Sequence, residues 1–281
     1  MEKYIFTDLA CEMSYGKTEE KDRLSDRIQK IIYYDPKGPE KNISEGTGHI
    51  TFFTPKLWTL DDDEFLILKD GIVSELKKYI ALHLKNYMEG GNLYVLVVGL
   101  GNPYLTPDAL GAETVKRIAV TNHSPYFVGS RIRVSAIIPD VMGNTGINTV
   151  MAIKAYVKEL RPDLVIAVDS LRARSYERLA STVQISDTGM APGSGITKVK
   201  HSLCQATLGV PVISIGIPTV VNSSTMIFEI MTKCDIEIEN IELRSMLENN
   251  LNFFVALKET DILIKSAAIL LSTAINNVLL S

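Results

Sequence analysis

Residues 161–178, Arg-Pro-Asp-Leu-Val-Ile-Ala-Val-Asp-Ser-Leu-Arg-Ala-Arg-Ser-Tyr-Glu-Arg, decide how this chain is read. At their centre, Leu164-Val165-Ile166-Ala167-Val168 is an unbroken apolar run with the β-branched content of a strand buried on both faces. It stops at Asp169. Three further runs of the same kind lie at 93–98, 134–138 and 210–215, and a strand is predicted at 49–54. Between them, apolar residues recur at helical spacing over 70–88, which Gly90-Gly91 would stop, and over 109–120 and 147–160. Strands alternating with crossover helices predict an α/β fold, a three-layer sandwich around a mostly parallel central sheet.

Composition sets the limits around that frame. With 46% hydrophobic and 22% charged residues in 281, there is ample apolar surface for one large domain. A net charge of -4 offers no basic field for nucleic-acid phosphates or anionic lipid, so neither is an expected partner. Cys11, Cys204 and Cys234 are widely spaced and form no CxxC pair, which favours a reducing cytoplasm over a disulfide framework or a zinc site. The first residues show no basic start followed by an apolar run. The apolar stretch 267–280 carries Ser272, Thr273, Asn276 and Asn277 and is expected to be a packed helix rather than a membrane span. Residues 14–47, rich in charge, Gly and Pro, read as a mobile region.

In open parallel sheets, sites gather at the carboxyl ends of the strands. The loops there begin at Gly99, Pro139, Asp169 and Gly216, and a fifth Gly- and hydroxyl-rich segment runs from Ser186 to Gly195. Asp169 ends an apolar strand, where desolvation raises a carboxylate's pKa; the alternative is a helix cap. Asp108 follows the tight Gly99-Leu100-Gly101 exit and has the same alternative. Together, two acids at two strand ends could take opposite protonation states and hydrolyse a peptide bond, one activating water and the other polarising the carbonyl. The four histidines lack metal-ligand spacing and stand beside no nucleophile. Ser194 lacks a GxSxG elbow, so Gly193 and Ser194 are candidates for backbone contacts to substrate. Asn102 is a further candidate contact. Arg172, Arg174 and Arg178 are read as one helix face, either solvated or recognising acidic side chains. The triplet Asp187-Thr188-Gly189 is read as structural.

Taken together, GLGNxxxTPDALG at 99–111, VMGxTGI at 141–147, RPDLVIAVDSLxARSxER at 161–178, TVQISDTGxxPGSG at 182–195 and LGVPVISIGIPTVV at 208–221 resemble the germination protease family. The resemblance implies the fold of hydrogenase maturation proteases and an aspartic-type endopeptidase that degrades small acid-soluble spore proteins in the spore core. Asp108 and Asp169 match the catalytic pair, and no cofactor or metal is implied. The stretch Thr7-Asp8-Leu9-Ala10-Cys11-Glu12 looks like that family's processing site, which implies a propeptide of residues 1–8 cut at Asp8-Leu9, a single domain over 9–281 and assembly as a homotetramer. The sequence departs from the pattern at Ala191, at 197–200 and in a shortened segment at 234–250. Two rival readings remain: a catalytically silent spore scaffold of the same fold, and a peptidyl-tRNA hydrolase-like esterase suggested by Val98-Gly99-Leu100-Gly101-Asn102-Pro103.

Overall fold

In the computed structural model, which describes residues 7–13, 19–34, 48–84, 90–123, 131–190, 202–236, 240–248 and 253–280, nine strands join in one sheet. They are β1 (Glu19–Arg23), β2 (Gln29–Tyr34), β3 (Gly48–Phe53), β4 (Leu93–Gly99), β5 (Ile132–Ile137), β6 (Leu164–Ala173), β7 (Thr182–Ser186), β8 (Val212–Asn222) and β9 (Phe254–Ala256). The order is β1-β2-β3-β7-β8-β6-β4-β5, with β9 beside β8. The predicted parallel sheet is its inner part: β8, β6, β4 and β5 run parallel, while β7, β3, β2 and β1 extend it antiparallel.

Every residue of β4 is buried, because helices cover both faces. Alternation along the strands divides the core. Val95, Val97, Leu164, Ile166 and Val168 face one apolar cluster, Leu96, Val98, Val165 and Ala167 the other. The first cluster is closed by α1 (Asp62–His83), α2 (Leu110–Val115) and the C-terminal α8 (Thr260–Leu279). The second is closed by α4 (Thr149–Leu160) and α5 (Gln205–Leu208); the remaining helices are α3 (Met142–Thr145), α6 (Ser223–Lys233) and α7 (Ile241–Glu248). The three layers are therefore those expected.

Several elements differ from the sequence reading. Helix α1 starts eight residues earlier than position 70, because Asp61 and Glu64 form a capping box that fixes its first turn. Within 14–47, where composition predicted mobility, β1 and β2 are strands, and Ile28 and Ile31 are buried. Lys30 of β2 pairs with Asp22 of β1 and Glu75 of α1, each at 3.1 Å. Helix α8 has 20 residues and is apolar and long enough to cross a membrane by length alone. That is longer than the 267–280 run suggested, yet 61% of its apolar window is buried inside the fold.

Gly111 marks a tight crossing near the functional end. A Cβ there would lie 2.4 Å from both N and O of Leu100 and 2.5 Å from O of Val168, all of them backbone atoms that cannot swing away. Gly111→Ala is expected to destabilise the fold by about 1–3 kcal/mol, as overpacking does. The urea midpoint should fall with an unchanged slope; an unchanged midpoint would show that helix α2 and the strand ends are not held this closely.

Candidate active site

The site forms where the sheet splits. Strand β4 leaves β6 at the pair Gly99–Val168, but β6 continues beside β8 as far as Ala173. Asp169 is thus the first residue of β6 past the end of its neighbour. It lies inside a strand rather than at its end, and no helix follows for it to cap. Arg172 is likewise on β6, not on a helix, because Leu171 and Ala173 alternate into an apolar cluster in the period-two pattern of a strand. Arg174 follows the strand, and the Arg178 guanidinium lies 4.6 Å above the Phe53 ring.

The chain leaves β4 through Gly101, at φ +92°, a left-handed conformation that glycine adopts without strain. A Cβ there would come within 2.1 Å of the Asp108 carbonyl oxygen and 2.9 Å of its Oδ1, so the loop wraps Asp108 directly. Asp108 ends the short turn Thr106–Asp108 and does not cap α2, whose N-cap is Ala109. Its Oδ2 instead accepts the Asn102 N–H at 2.7 Å. Asn102 Oδ1 accepts from Tyr104 N–H at 2.9 Å and from Asn144 Nδ2 at 3.2 Å. Asn144 Nδ2 also donates to Asp140 Oδ1 at 2.9 Å. Asp140 holds φ +63° and is a third acid of the cluster; its loop was marked by the sequence, but the residue itself was not.

Burial drives the Asp169 carboxyl well above the ordinary carboxylate range, and the charges of Asp108 and Asp8 push it further in the same direction. The Ser170 N–H, donating to Oδ1 at 2.9 Å, and Arg172 only partly oppose this. Burial also raises Asp108, countered by the Asn102 N–H and reinforced by Asp140. The Asp108 charge is thus one of the causes that raise Asp169, with burial the larger one.

Residues 7–13 cross the sheet from Arg172 of β6 toward Gln184 of β7. Asp8 N–H donates to the Arg172 carbonyl at 2.9 Å, and Asp8 Oδ2 accepts from Arg172 N–H at 2.9 Å and Nε at 3.3 Å. Leu9 is fully buried among Leu171, Ala173, Leu179 and Val221. Gln184 of β7 spans the next step: its Nε2 donates to the Asp8 carbonyl at 3.0 Å, and its Oε1 accepts the Ala10 N–H at 2.6 Å. Glu12 accepts the N–H groups of Arg174 at 2.6 Å and Ser175 at 2.9 Å. Gln184 was not among the sequence candidates, and Glu12 was named only within the stretch 7–12; a Gln inside the otherwise apolar and hydroxyl-bearing strand TVQIS was the available signal for the first.

Gly193 and Ser194 lie outside the described residues. Asp187 receives the Gly48 N–H at 3.3 Å and faces His83 Nε2 at 3.0 Å, tying β3 to α1 as a structural residue. Among the described residues, no group of three or more His, Cys, Asp or Glu side chains could hold a metal ion.

The family profile described as germination protease matches residues 15–234. A germination protease of Clostridium acetobutylicum is 35% identical, the match covering 92% of this chain and 81% of that protein. One from Caldanaerobacter subterraneus subsp. tengcongensis is 39% identical over 89% of this chain and 83% of its own. A crystal structure of the [NiFe] hydrogenase maturation protease HycI from Thermococcus kodakarensis aligns at 17% identity with a TM-score of 0.35, covering 68% of this chain and 96% of that one.

A raised carboxyl pKa has a sign-defined cost. The folded state binds the Asp169 proton more tightly than the unfolded chain, so stability falls as pH rises from the ordinary carboxylate range through the raised value. Asp169→Asn removes that cost. The variant should melt a few degrees above the wild type near neutral pH, and the gain should vanish below about pH 4, where the unfolded chain is protonated too. A pH-independent difference in calorimetry would contradict this.

Proposed function

The chain belongs to the germination protease family, and from that premise we propose that it is an aspartic-type endopeptidase that degrades small acid-soluble spore proteins, with Asp108 and Asp169 as its acid/base pair. The observation that carries the reading is the coupling of two desolvated acids beside a docked peptide segment whose Asp8 carboxylate acts electrostatically on Asp169.

The chemistry follows from the difference between the acids. Asp169, the more strongly raised, holds the proton at rest and donates a hydrogen bond to the scissile carbonyl oxygen. Asp108, kept more acidic by the Asn102 N–H, takes a proton from water as the oxygen attacks the carbonyl carbon. The tetrahedral intermediate then collapses, the C–N bond breaks, and the proton held by Asp108 goes to the leaving amine. Asn102 is a positioning residue for Asp108.

The same groove supports synthesis as a zymogen. The Asp8-Leu9 bond is the proposed processing site, and residues 7–13 lie beside Asp169 where a substrate would bind, so the uncut chain inhibits itself. The spore core is the proposed location, and homotetramer assembly is carried over from the family as a proposal.

The test is incubation with an acid-soluble spore protein, with fragments and the chain's own N-terminus read by mass spectrometry. The wild type should cut the substrate and acquire an N-terminus at Leu9. Asp108→Asn and Asp169→Asn should each lose at least about a hundredfold in rate with unchanged circular dichroism. Near-normal cleavage by either variant would overturn the assignment, and an inert wild type would favour the silent scaffold.

A further inference from the structure

The loop after β5 holds an acid that the proposed chemistry leaves without a role. Asp140 keeps φ +63°, a left-handed conformation that Asp tolerates better than most residues and that glycine would adopt freely. Its Oδ1 accepts the Val141 N–H at 2.7 Å, and its carbonyl accepts from Thr149 Oγ1, in the first turn of α4, at 3.1 Å. The carboxylate is thereby held in one direction. The same Oδ1 accepts from Asn144 Nδ2 at 2.9 Å, and that nitrogen also donates to Asn102 Oδ1 at 3.2 Å.

The polarity of this chain of bonds follows from its ends. An ionised carboxylate only accepts, so Asn144 must present Nδ2 to Asp140; the Tyr104 N–H only donates, so Asn102 must present Oδ1 to it, at 2.9 Å. A primary amide has two hydrogens, and Asn144 gives one to each loop. Because Asn144 is exposed, water competes for both bonds and they add little to stability. What they fix is the place of residue 102, whose backbone N–H donates to Asp108 Oδ2 at 2.7 Å.

We propose that Asp140 is a positioning residue for Asp108, acting through Asn144, which holds the Asn102 loop against that acid, and through its own negative charge. This rests on the acid/base reading above and deepens it. The two actions oppose each other at Asp108: the Asn102 N–H favours the carboxylate, and the Asp140 charge disfavours it. A general base needs both, since it must be ionised and still basic enough to take a proton from water. Other charges near Asp108 are few. Strand β8, packed against the 106–108 turn, carries none; Asp261 and Lys265 of α8 are exposed; Glu113 of α2 pairs with Lys116 and Arg117. On β6, Asp169 is raised by Asp108 and Asp8 and opposed by Arg172.

Three variants separate the actions. Asp140→Asn keeps an acceptor for Val141 and Asn144 but loses the charge, Asn144→Ala keeps the charge but cuts the relay, and Asp140→Gly loses both while permitting the same backbone angle. Rates on an acid-soluble spore protein are followed against pH, and the Asp108 carboxyl is titrated by carbon-13 NMR. Loss of a like charge should move the acid limb of kcat/KM and the Asp108 titration down by at least about 0.3 pH unit in Asp140→Asn, and high salt should shrink that difference. Asn144→Ala, which loosens the acidifying donor, should move both up by about as much. Asp140→Gly should lose at least about threefold in kcat with KM and circular dichroism unchanged. Shifts of one sign in Asp140→Asn and Asn144→Ala, no shift in either, or full activity of Asp140→Gly would overturn the proposal. If the wild type cuts nothing, the peptidase reading fails and the titrations alone decide. Opposite shifts of Asp108 in the two variants then uphold the positioning role, and an unmoved Asp108 overturns it.

Discussion

A carboxylate set at the fork where one strand stops and its neighbour goes on is the constraint from which the rest of this structure follows. Asp169 sits in β6 one residue beyond the last β4 pairing, and burial and neighbouring acids oppose its ionisation. That position requires β4 to turn away sharply, which Gly101 permits through its positive φ, and requires α2 to approach the strand ends at Gly111. The same turn carries Asp108 back toward the fork. The backbone between Gly99 and Gly111 has little room to take another path.

The fork also leaves β6 with an unpaired edge, and a bare edge of backbone donors and acceptors is unstable unless covered. Asp8 meets it at Arg172. Burying Leu9 alone is worth about 1.5–3 kcal/mol, and the Asp8 and Glu12 carboxylates add charge-assisted hydrogen bonds to backbone amides. Because the segment belongs to the same chain, its effective concentration at the groove exceeds that of a free peptide. The docked segment thus completes the fold and, on the proposed reading, withholds the activity. Cleavage at Asp8-Leu9 would free Asp8 from the chain while Leu9 to Glu12 stay joined to it.

How much of this was legible in the sequence depended on burial. Strands β4, β5, β6 and β8 announced themselves because both faces are apolar, and the two acids were visible as polar interruptions at or near their ends. The strands β1 and β2 were not visible, since one-sided burial and charged residues such as Asp22 and Lys30 resemble a solvated loop. Arg172 was assigned to a helix because the residues after Asp169 are polar, although Leu171 and Ala173 already carried the alternation of a half-buried strand. Gln184 could not be assigned a role from one sequence. Its partners lie 174 and 176 residues away, and nothing in local pattern connects them.

The central claim, that Asp108 and Asp169 form one coupled site that holds a proton above the ordinary carboxylate range, can be measured directly. Carboxyl carbon-13 chemical shifts, followed by NMR against pH on selectively labelled protein, report each Asp in turn. The account predicts that Asp169 titrates well above the ordinary carboxylate range and that its curve moves down in Asp108→Asn, as loss of a neighbouring charge requires. Two independent titrations in the ordinary range, unaffected by replacing either acid, would contradict it.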